Sequence, residues 1–264
     1  MLKIINQLRR PKNLEKNFDE SQIADMKGLP FGVHGVINLE GKPFAFHDAG
    51  CFYDTYNEII KERIYDFNCD SSKPLIIDCG ANMGLSVYFF AKTFPGARIM
   101  AFEPEEEIYN ILEKNVQTQG LHNVALYKKA VWDEKTTLSF YSDKGMGGSV
   151  VNVYKKQEPK KIETVVLADY LVSKVDFLKL DIEGAEYRVL KNCGPLLRNV
   201  QNLFVEYHSF VNEEQHLDDL LKLLKEAGFR YHLRQSFSRQ HPFKDNLLAC
   251  ENMDMAINVF AYRH

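Results

Sequence analysis

Apolar and polar positions change rhythm several times along the chain, and the changes mark out its elements. Leu75-Ile76-Ile77 is a continuous apolar run that ends in Asp78 and a glycine-rich turn. Strands buried on both faces of a sheet read this way. Residues 85–94 follow with helical spacing and stop at Pro95-Gly96. Residues 98–102 predict the next strand and 104–119 the next helix, closed by Gly120. Pro104 suits a helix start, where its missing N–H costs nothing. A third strand is expected over 124–132, a fourth over 175–180, then a helix over 185–190 and a strand over 203–207. Residues 217–227 are amphipathic at a helical period and end at Gly228; strands over 229–233 and 257–262 complete the pattern. Strands alternating with helices of about 10–15 residues predict a doubly wound, mostly parallel sheet.

Two stretches break that rhythm. Residues 11–28 are polar, and glycines crowd the next twenty or so positions, which predicts short antiparallel strands such as 35–39 with a turn at Glu40-Gly41. A helix is expected over 53–67 from apolar residues at Tyr56, Ile59, Ile60 and Ile64. Between 136 and 166 the pattern is again that of hairpin strands (138–141, 149–154 and 162–166) around Gly145-Met146-Gly147-Gly148, with 155–161 as a solvated loop. The expected organisation is therefore an N-terminal α+β extension over 1–70, helping to cover an acceptor site, and a main domain over 71–264 that carries a β-hairpin insertion.

Composition narrows the function classes. Apolar and charged fractions of 45% and 26% are those of an ordinary soluble domain. A net charge of −3 gives no electrostatic reason to expect nucleic acid as partner. The five cysteines, Cys51, Cys69, Cys79, Cys193 and Cys250, are odd in number and show no C-x-x-C spacing, which argues against a disulfide framework or a zinc cluster. The expectation is reduced thiols and a cytoplasmic location. No apolar run reaches the length of a signal peptide core or a membrane span, so no integral membrane association is expected. Residues 1–10 could form a short basic amphipathic helix, which packs by default or grazes an anionic membrane surface.

In doubly wound sheets ligands sit beyond the carboxyl ends of the strands, at the switch point. That rule selects Asp78 to Gly84, Glu103, Ala130 to Asp133, Asp181 to Glu183, and Glu206 to His208. In the turn Asp78-Cys79-Gly80-Ala81-Asn82-Met83-Gly84, Gly80 permits close approach of a ligand to the backbone. Asn82 tolerates a left-handed conformation and offers an amide. Amides at the start of the following helix favour a carboxylate or another anion. A dinucleotide fingerprint is broken, because Asn82 and Leu85 stand where it needs glycines. Glu103, at the end of the next strand, is placed to accept hydrogen bonds from ribose hydroxyls, or else serves as a helix N-terminal carboxylate.

Ile77-Asp78-Cys79-Gly80-Ala81-Asn82-Met83-Gly84 with Phe102-Glu103-Pro104 resembles the cofactor signature of class I S-adenosylmethionine methyltransferases. Leu178-Lys179-Leu180-Asp181-Ile182-Glu183-Gly184-Ala185-Glu186, with Gly147-Gly148-Ser149 and Glu206-Tyr207-His208, is similar to the signature of the FkbM family within that class. The resemblance spans roughly residues 74–210. It implies a Rossmann-like sheet of seven strands and S-adenosyl-L-methionine as cofactor. It implies Asp78, Gly80, Asn82 and Gly84 around the methionine portion, Glu103 on the ribose, Pro104, Ala130 and Val131 at the adenine, and Asp181 facing the sulfonium. It also implies O-methylation of a hydroxyl on a sugar, a glycan or a glycosylated metabolite.

The proton of that hydroxyl needs an acceptor, and Asp181, Glu183, Glu206 and His208 are the catalytic candidates at the sheet mouth. His208 can equally be a histidine hydrogen-bonded beside its strand, and Glu183 a helix cap. Asp181, Glu206 and His208, with Glu183 beside them, can also ligate Mg²⁺ or Mn²⁺. Asp-x-Glu is common without a metal, so the primary reading is a metal-free site. A nicotinamide-dependent oxidoreductase and a noncatalytic binding module on the same fold are the competing readings. The acceptor pocket is expected to draw on 30–70, 136–160 and 208–215, with Tyr53, Tyr56, Tyr141, Tyr207, Phe210, His241 and Phe243 as aromatic or polar candidates.

Overall fold

A computed structural model describes residues 14–142, 148–149, 160–239, 241–244 and 253–263. In chain order the elements are β1 (Leu14–Asp19), β2 (Val33–Leu39), β3 (Lys42–Phe46), α1 (Ala49–Tyr56), β4 (Leu75–Cys79), α2 (Leu85–Thr93), β5 (Arg98–Phe102), α3 (Glu106–Gln119), β6 (Val124–Tyr127), β7 (Ala130–Trp132), β8 (Thr137–Ser142), β9 (Gly148–Ser149) and β10 (Lys160–Val166). The second half contributes β11 (Val175–Leu180), α4 (Glu186–Cys193), β12 (Val200–Phe210), α5 (Leu217–Glu226), β13 (Arg230–Ser238) and β14 (Met253–Tyr262).

The main sheet has seven strands in the order β13-β14-β12-β11-β4-β5-β6. From β6 to β12 all neighbours are parallel, while β14 runs antiparallel to both β12 and β13. The chain builds outward from β4 to β5 and β6, then returns to place β11 on the other side of β4. The switch point of the sheet therefore falls between β4 and β11, where a ligand crevice is expected.

Every residue of β4 and β11 is buried, including Asp78, Asp176 and Lys179 among the apolar positions. Alternate residues feed two cores. Ile77, Leu178 and Val205 join the side covered by α4 and α5, with Val189, Leu190, Leu220 and Leu224. Ile76, Phe177 and Phe204 join the side covered by α2 and α3, with Phe90, Ile99 and Leu112.

The N-terminal strands form their own sheet, β1-β2-β3. Its residues Phe44 and Phe46, with Phe52 from α1, share a third core with Met83, Leu85 and Tyr88 from the region of the glycine turn. Asn115 on α3 ties the two parts together: its side chain accepts from the Ala45 amide at 2.7 Å and donates to the carbonyls of Ala45 and Met83, each at 2.8 Å.

Several expectations change in the structure. The polar run 11–28 contains β1, paired in parallel with β2, and a 3₁₀ segment that buries Ile23 and Met26. The helix expected over 53–67 begins at Ala49 and becomes a π-helical stretch over Asn57–Lys61. The strand expected over 124–132 is divided at Lys128-Lys129; β6 stays in the main sheet, and β7 leaves it to pair in parallel with β10. The hairpin β8–β9 is antiparallel as expected, but Lys160 and Lys161 belong to β10 rather than to a loop. Residues 1–10, most of 149–154 and the start of the 155–161 run lie outside the described residues. The Glu40-Gly41 turn holds, with both φ positive (49° and 78°), as a two-residue hairpin turn demands. Among the described residues, no helix is long and apolar enough to cross a membrane.

Candidate functional site

The turn after β4 is built for close approach. Gly80, Asn82 and Gly84 take left-handed φ values of 83°, 48° and 92°. A Cβ on Gly80 would lie 1.8 Å from the Asp181 carbonyl oxygen, so only glycine lets the ends of β4 and β11 meet here. The amides of the turn are largely consumed by the chain itself. Those of Gly80 and Ala81 donate to the Phe102 carbonyl at 3.0 and 2.9 Å, and that of Gly84 to the Ala81 carbonyl at 2.9 Å. The Asn82 amide donates to Glu103 Oε2 at 3.0 Å, and Asn82 Oδ1 accepts from the Met83 amide at 2.7 Å while meeting His47 Nε2 at 2.8 Å.

Asp78 lies beneath this turn, fully buried. Its Oδ2 accepts from Ser86 Oγ at 2.5 Å, and its Oδ1 faces Lys179 Nζ at 3.5 Å. Lys179 also donates to the Gly80 carbonyl at 2.8 Å and to Asp181 Oδ2 at 3.2 Å. Burial disfavours the charge on Lys179, but Asp181 and Asp78 outweigh it and hold its pKa well above the ordinary value. Burial pushes Asp78 upward against the pull of Lys179 and Ser86. The Asp78 carboxylate is thus engaged inside the protein and braces the turn from below.

Glu103 is 7% exposed, and its second oxygen accepts from the Glu105 amide at 2.9 Å. Burial raises its pKa to about 7 despite these two amide bonds. Each carboxylate oxygen retains a further lone pair that a ribose hydroxyl can use.

Beyond β11 the chain turns through Glu183, at φ 58°, and Gly184, at φ 103°. Glu183 is therefore part of the loop, and α4 starts only at Glu186. Glu186, expected only as a letter in a motif, is 1% exposed. Its Oε1 accepts from the Ile182 and Gly184 amides at 3.1 and 3.0 Å and meets His208 Nδ1 at 3.1 Å. His208 Nε2 lies 3.7 Å from Glu183 Oε2. Burial opposes a charged imidazole, yet Glu183 and Glu186 together raise its pKa well above 6.5. Glu183 itself is pushed up by burial, against the counter-pull of His208. Glu206, one residue pair away on β12, accepts from Ser236 Oγ at 2.7 Å and is likewise raised, first by burial and then by Asp181.

These groups share a cavity of about 710 Å³ at the carboxyl ends of β4, β11 and β12. It brings together Gly80, Asn82, Asp181, Glu183, Glu206 and His208. Asp181, Glu206 and His208 each offer a ligand atom within 4.8 Å of the others. Tyr53 and Phe210 line the same space.

The remaining expected residues lie elsewhere. Gly84 packs against Leu112, where a Cβ would sit 2.5 Å from its Cδ1. Glu103 reaches the cavity only through the Asn82 amide, and Pro104 stands half-buried between it and α3. Ala130 and Val131 are buried in β7. Tyr56 and Tyr207 are buried with their hydroxyls bonded to Glu20 and to the His216 amide. His241 and Phe243 are exposed, and the Tyr141 side chain lies outside the described residues.

Glu58 is a site residue the sequence did not reveal. It lines the cavity from the π-helical stretch, and its Oε1 accepts from Asn258 Nδ2 at 3.1 Å. Burial, then repulsion from Glu206, raises its pKa to about 7. On a helix such a glutamate reads as a solvated charge; only the fold turns it inward. Lys179 did leave a signal, as a lone cation inside an apolar strand, since lysine is almost never fully buried unless paired.

The profile of the family described as Methyltransferase FkbM domain matches residues 78–231. Methyltransferase sdnD of Sordaria araneosa is 30% identical, over 55% of this chain and 71% of that protein. Methyltransferase 1 of Beauveria bassiana is 21% identical, over 52% of this chain and 65% of that protein. A crystal structure of methyltransferase FkbM from Methylobacillus flagellatus is similar at a TM-score of 0.47 and 15% identity, covering 80% of this chain and 53% of that one.

Proposed function

The chain belongs to the FkbM methyltransferase domain family, and from that premise we propose that it transfers a methyl group from S-adenosyl-L-methionine to a hydroxyl of a sugar, a glycan or a glycosylated metabolite. One observation carries this reading. A single cavity holds the glycine turn residues Gly80 and Asn82 beside Asp181, Glu206 and His208, so a methyl donor and proton-accepting groups come within reach of one another.

The chemistry of the donor set fits the cofactor. Gly80 to Met83, with Leu85 and Ser86, bring the first turn of α2 to the cavity, a placement suited to an amino-acid carboxylate. By the family resemblance, Glu103, behind Asn82, would take the ribose diol, and Pro104, Ala130 and Val131 would border the adenine. When bound, S-adenosylmethionine supplies an electrophilic methyl sulfonium, so the protein need only align the acceptor and remove a proton. Asp181, tethered by Lys179, has its backbone carbonyl packed against Gly80 of the donor turn. The cofactor would supply the methyl group to the acceptor oxygen, and a carboxylate of the cluster would take the hydroxyl proton. Glu206, Glu183 and His208 complete that cluster, and the N-terminal unit, through Tyr53 and Glu58, helps cover the acceptor. This mechanism runs without a metal; Asp181, Glu206 and His208 are the residues that would hold Mg²⁺ or Mn²⁺ in the other version.

The test is transfer of labelled methyl groups to fractionated glycans and small glycosides, with and without EDTA. The reading expects label in an O-methyl ether of the product at an EDTA-independent rate. Label lost with EDTA would install the metal version. Label in a nitrogen-linked product would remove the hydroxyl assignment. No transfer to any fraction, with the cofactor bound, would favour a noncatalytic binding module.

A further inference from the structure

Glu186 accepts three contacts on one oxygen, and two of them fix the meaning of the third. The Ile182 and Gly184 amides can only donate, so Oε1 is an acceptor, and His208 Nδ1, 3.1 Å away, must carry the proton that bonds to it. The ring is thereby pinned, with Nε2 turned toward Glu183 and the Asp181–Glu206 pair. The anchor is rigid for local reasons. Glu186 is 1% exposed and opens α4, where a carboxylate is favoured by the helix dipole. The left-handed pair Glu183 and Gly184 folds the loop so that two of its amides converge on the same oxygen. Gly184 is packed under Phe210, whose ring a Cβ would meet at 2.7 Å, and Phe210 lies nearly parallel to the His208 ring. Loop, carboxylate and imidazole form one unit.

We propose that Glu186 is a positioning residue: it acts through His208, fixing the tautomer and orientation that present Nε2 to the acceptor cavity. The effect on rate rests on the methyl-transfer reading above; the effect on His208 does not. The charged groups that face the imidazole are Glu183 and Asp181 from the loop after β11, Glu206 from its own strand and Glu186 from α4. Glu186 differs from the other three in reaching Nδ1.

Glu186→Gln separates charge from shape, because the amide oxygen can still accept from both backbone amides and from Nδ1. Nitrogen-resolved NMR of the full chain, free of ligand, is the first readout. In the unsubstituted protein, above the titration midpoint, His208 is expected as the Nδ1–H tautomer. In Glu186→Gln the Nδ1–H population is expected to fall, since the neutral amide oxygen holds the proton on Nδ1 less strongly than a carboxylate does. Kinetics are the second readout. Removing a partner that orients a functional histidine costs about 10–100-fold, here expected in kcat with the KM for the methyl donor nearly unchanged. Glu186→Asp, which keeps the charge, is expected to recover part of the rate and part of the Nδ1–H population.

An Nε2–H tautomer in the unsubstituted protein would overturn the proposal even if no variant folds. So would an Nδ1–H population that is the same with Glu and with Gln at position 186. A protein that shows the expected tautomer but transfers no methyl group would instead refute the functional premise and leave the positioning role in place.

Discussion

The two walls of the cavity are made in different ways. The donor wall is one continuous segment, Gly80 to Met83, within a turn whose amides are spent on Phe102, Glu103, Asn82 and Ala81 inside the chain. The acceptor wall gathers Glu58, Asp181, Glu183, Glu206 and His208 from three separate segments. The first depends on backbone shape, and its charges are paired beneath it, Asp78 with Lys179. The second depends on charge: several carboxyl groups crowd around one histidine, and burial raises most of their pKa values. A change of shape should therefore ruin the first wall, and a change of charge should retune the second.

Gly80→Ala is the sharpest way to break the donor wall. The added Cβ must clear the Asp181 carbonyl oxygen, 1.8 Å away, and take up a left-handed φ of 83°. Overpacking and the left-handed penalty together amount to roughly 2–5 kcal/mol of stability, to be measured by urea unfolding. Cofactor binding should be lost with it. An alanine variant of unchanged stability would mean that β4 and β11 do not meet as closely as described.

On the acceptor wall, Asp181→Asn keeps the shape and removes one charge. Lys179 still has Asp78 as partner, so the melting temperature should move little. Turnover is expected to fall about 10²–10⁴-fold if this carboxylate takes or relays the proton. A turnover number equal to that of the parent would place proton removal elsewhere in the cluster.

The smallest effect concerns Glu58, whose carboxyl pKa of about 7 in the folded protein stands above the ordinary 4.5. Between those values the folded state holds more protons than the unfolded one, so this group's contribution to stability falls as pH rises through that window. Above it the full cost of a buried charge is present. Glu58→Gln should accordingly stabilise the protein at about pH 8, by roughly 1 kcal/mol after allowing for solvent screening, and do almost nothing at about pH 4. Urea titrations at both values check the sign as well as the size.

The same contrast explains what the sequence disclosed. The donor wall is contiguous, so its glycines, Asn82 and the preceding apolar run could be read together, as could the block from Asp181 to Glu186. The role of Asp78 was less visible, because Ser86 and Lys179 that claim its carboxylate are 8 and 101 residues away. Glu58 gave no sign, since a π-helical turn in an amphipathic segment, rather than any local motif, points it at Glu206. Parallel pairing of β1 within a polar run, and the departure of β7 from the main sheet, are likewise tertiary choices that override local pattern.

The most direct test of the account is titration calorimetry of the full chain with S-adenosylhomocysteine and, separately, with NAD⁺. The donor wall described here predicts saturable one-to-one binding of S-adenosylhomocysteine in the micromolar range, and no comparable heat from NAD⁺, whose pyrophosphate meets Asn82 where a glycine would be needed. Absence of saturable heat from S-adenosylhomocysteine up to millimolar concentration, or tighter binding of NAD⁺, would contradict it.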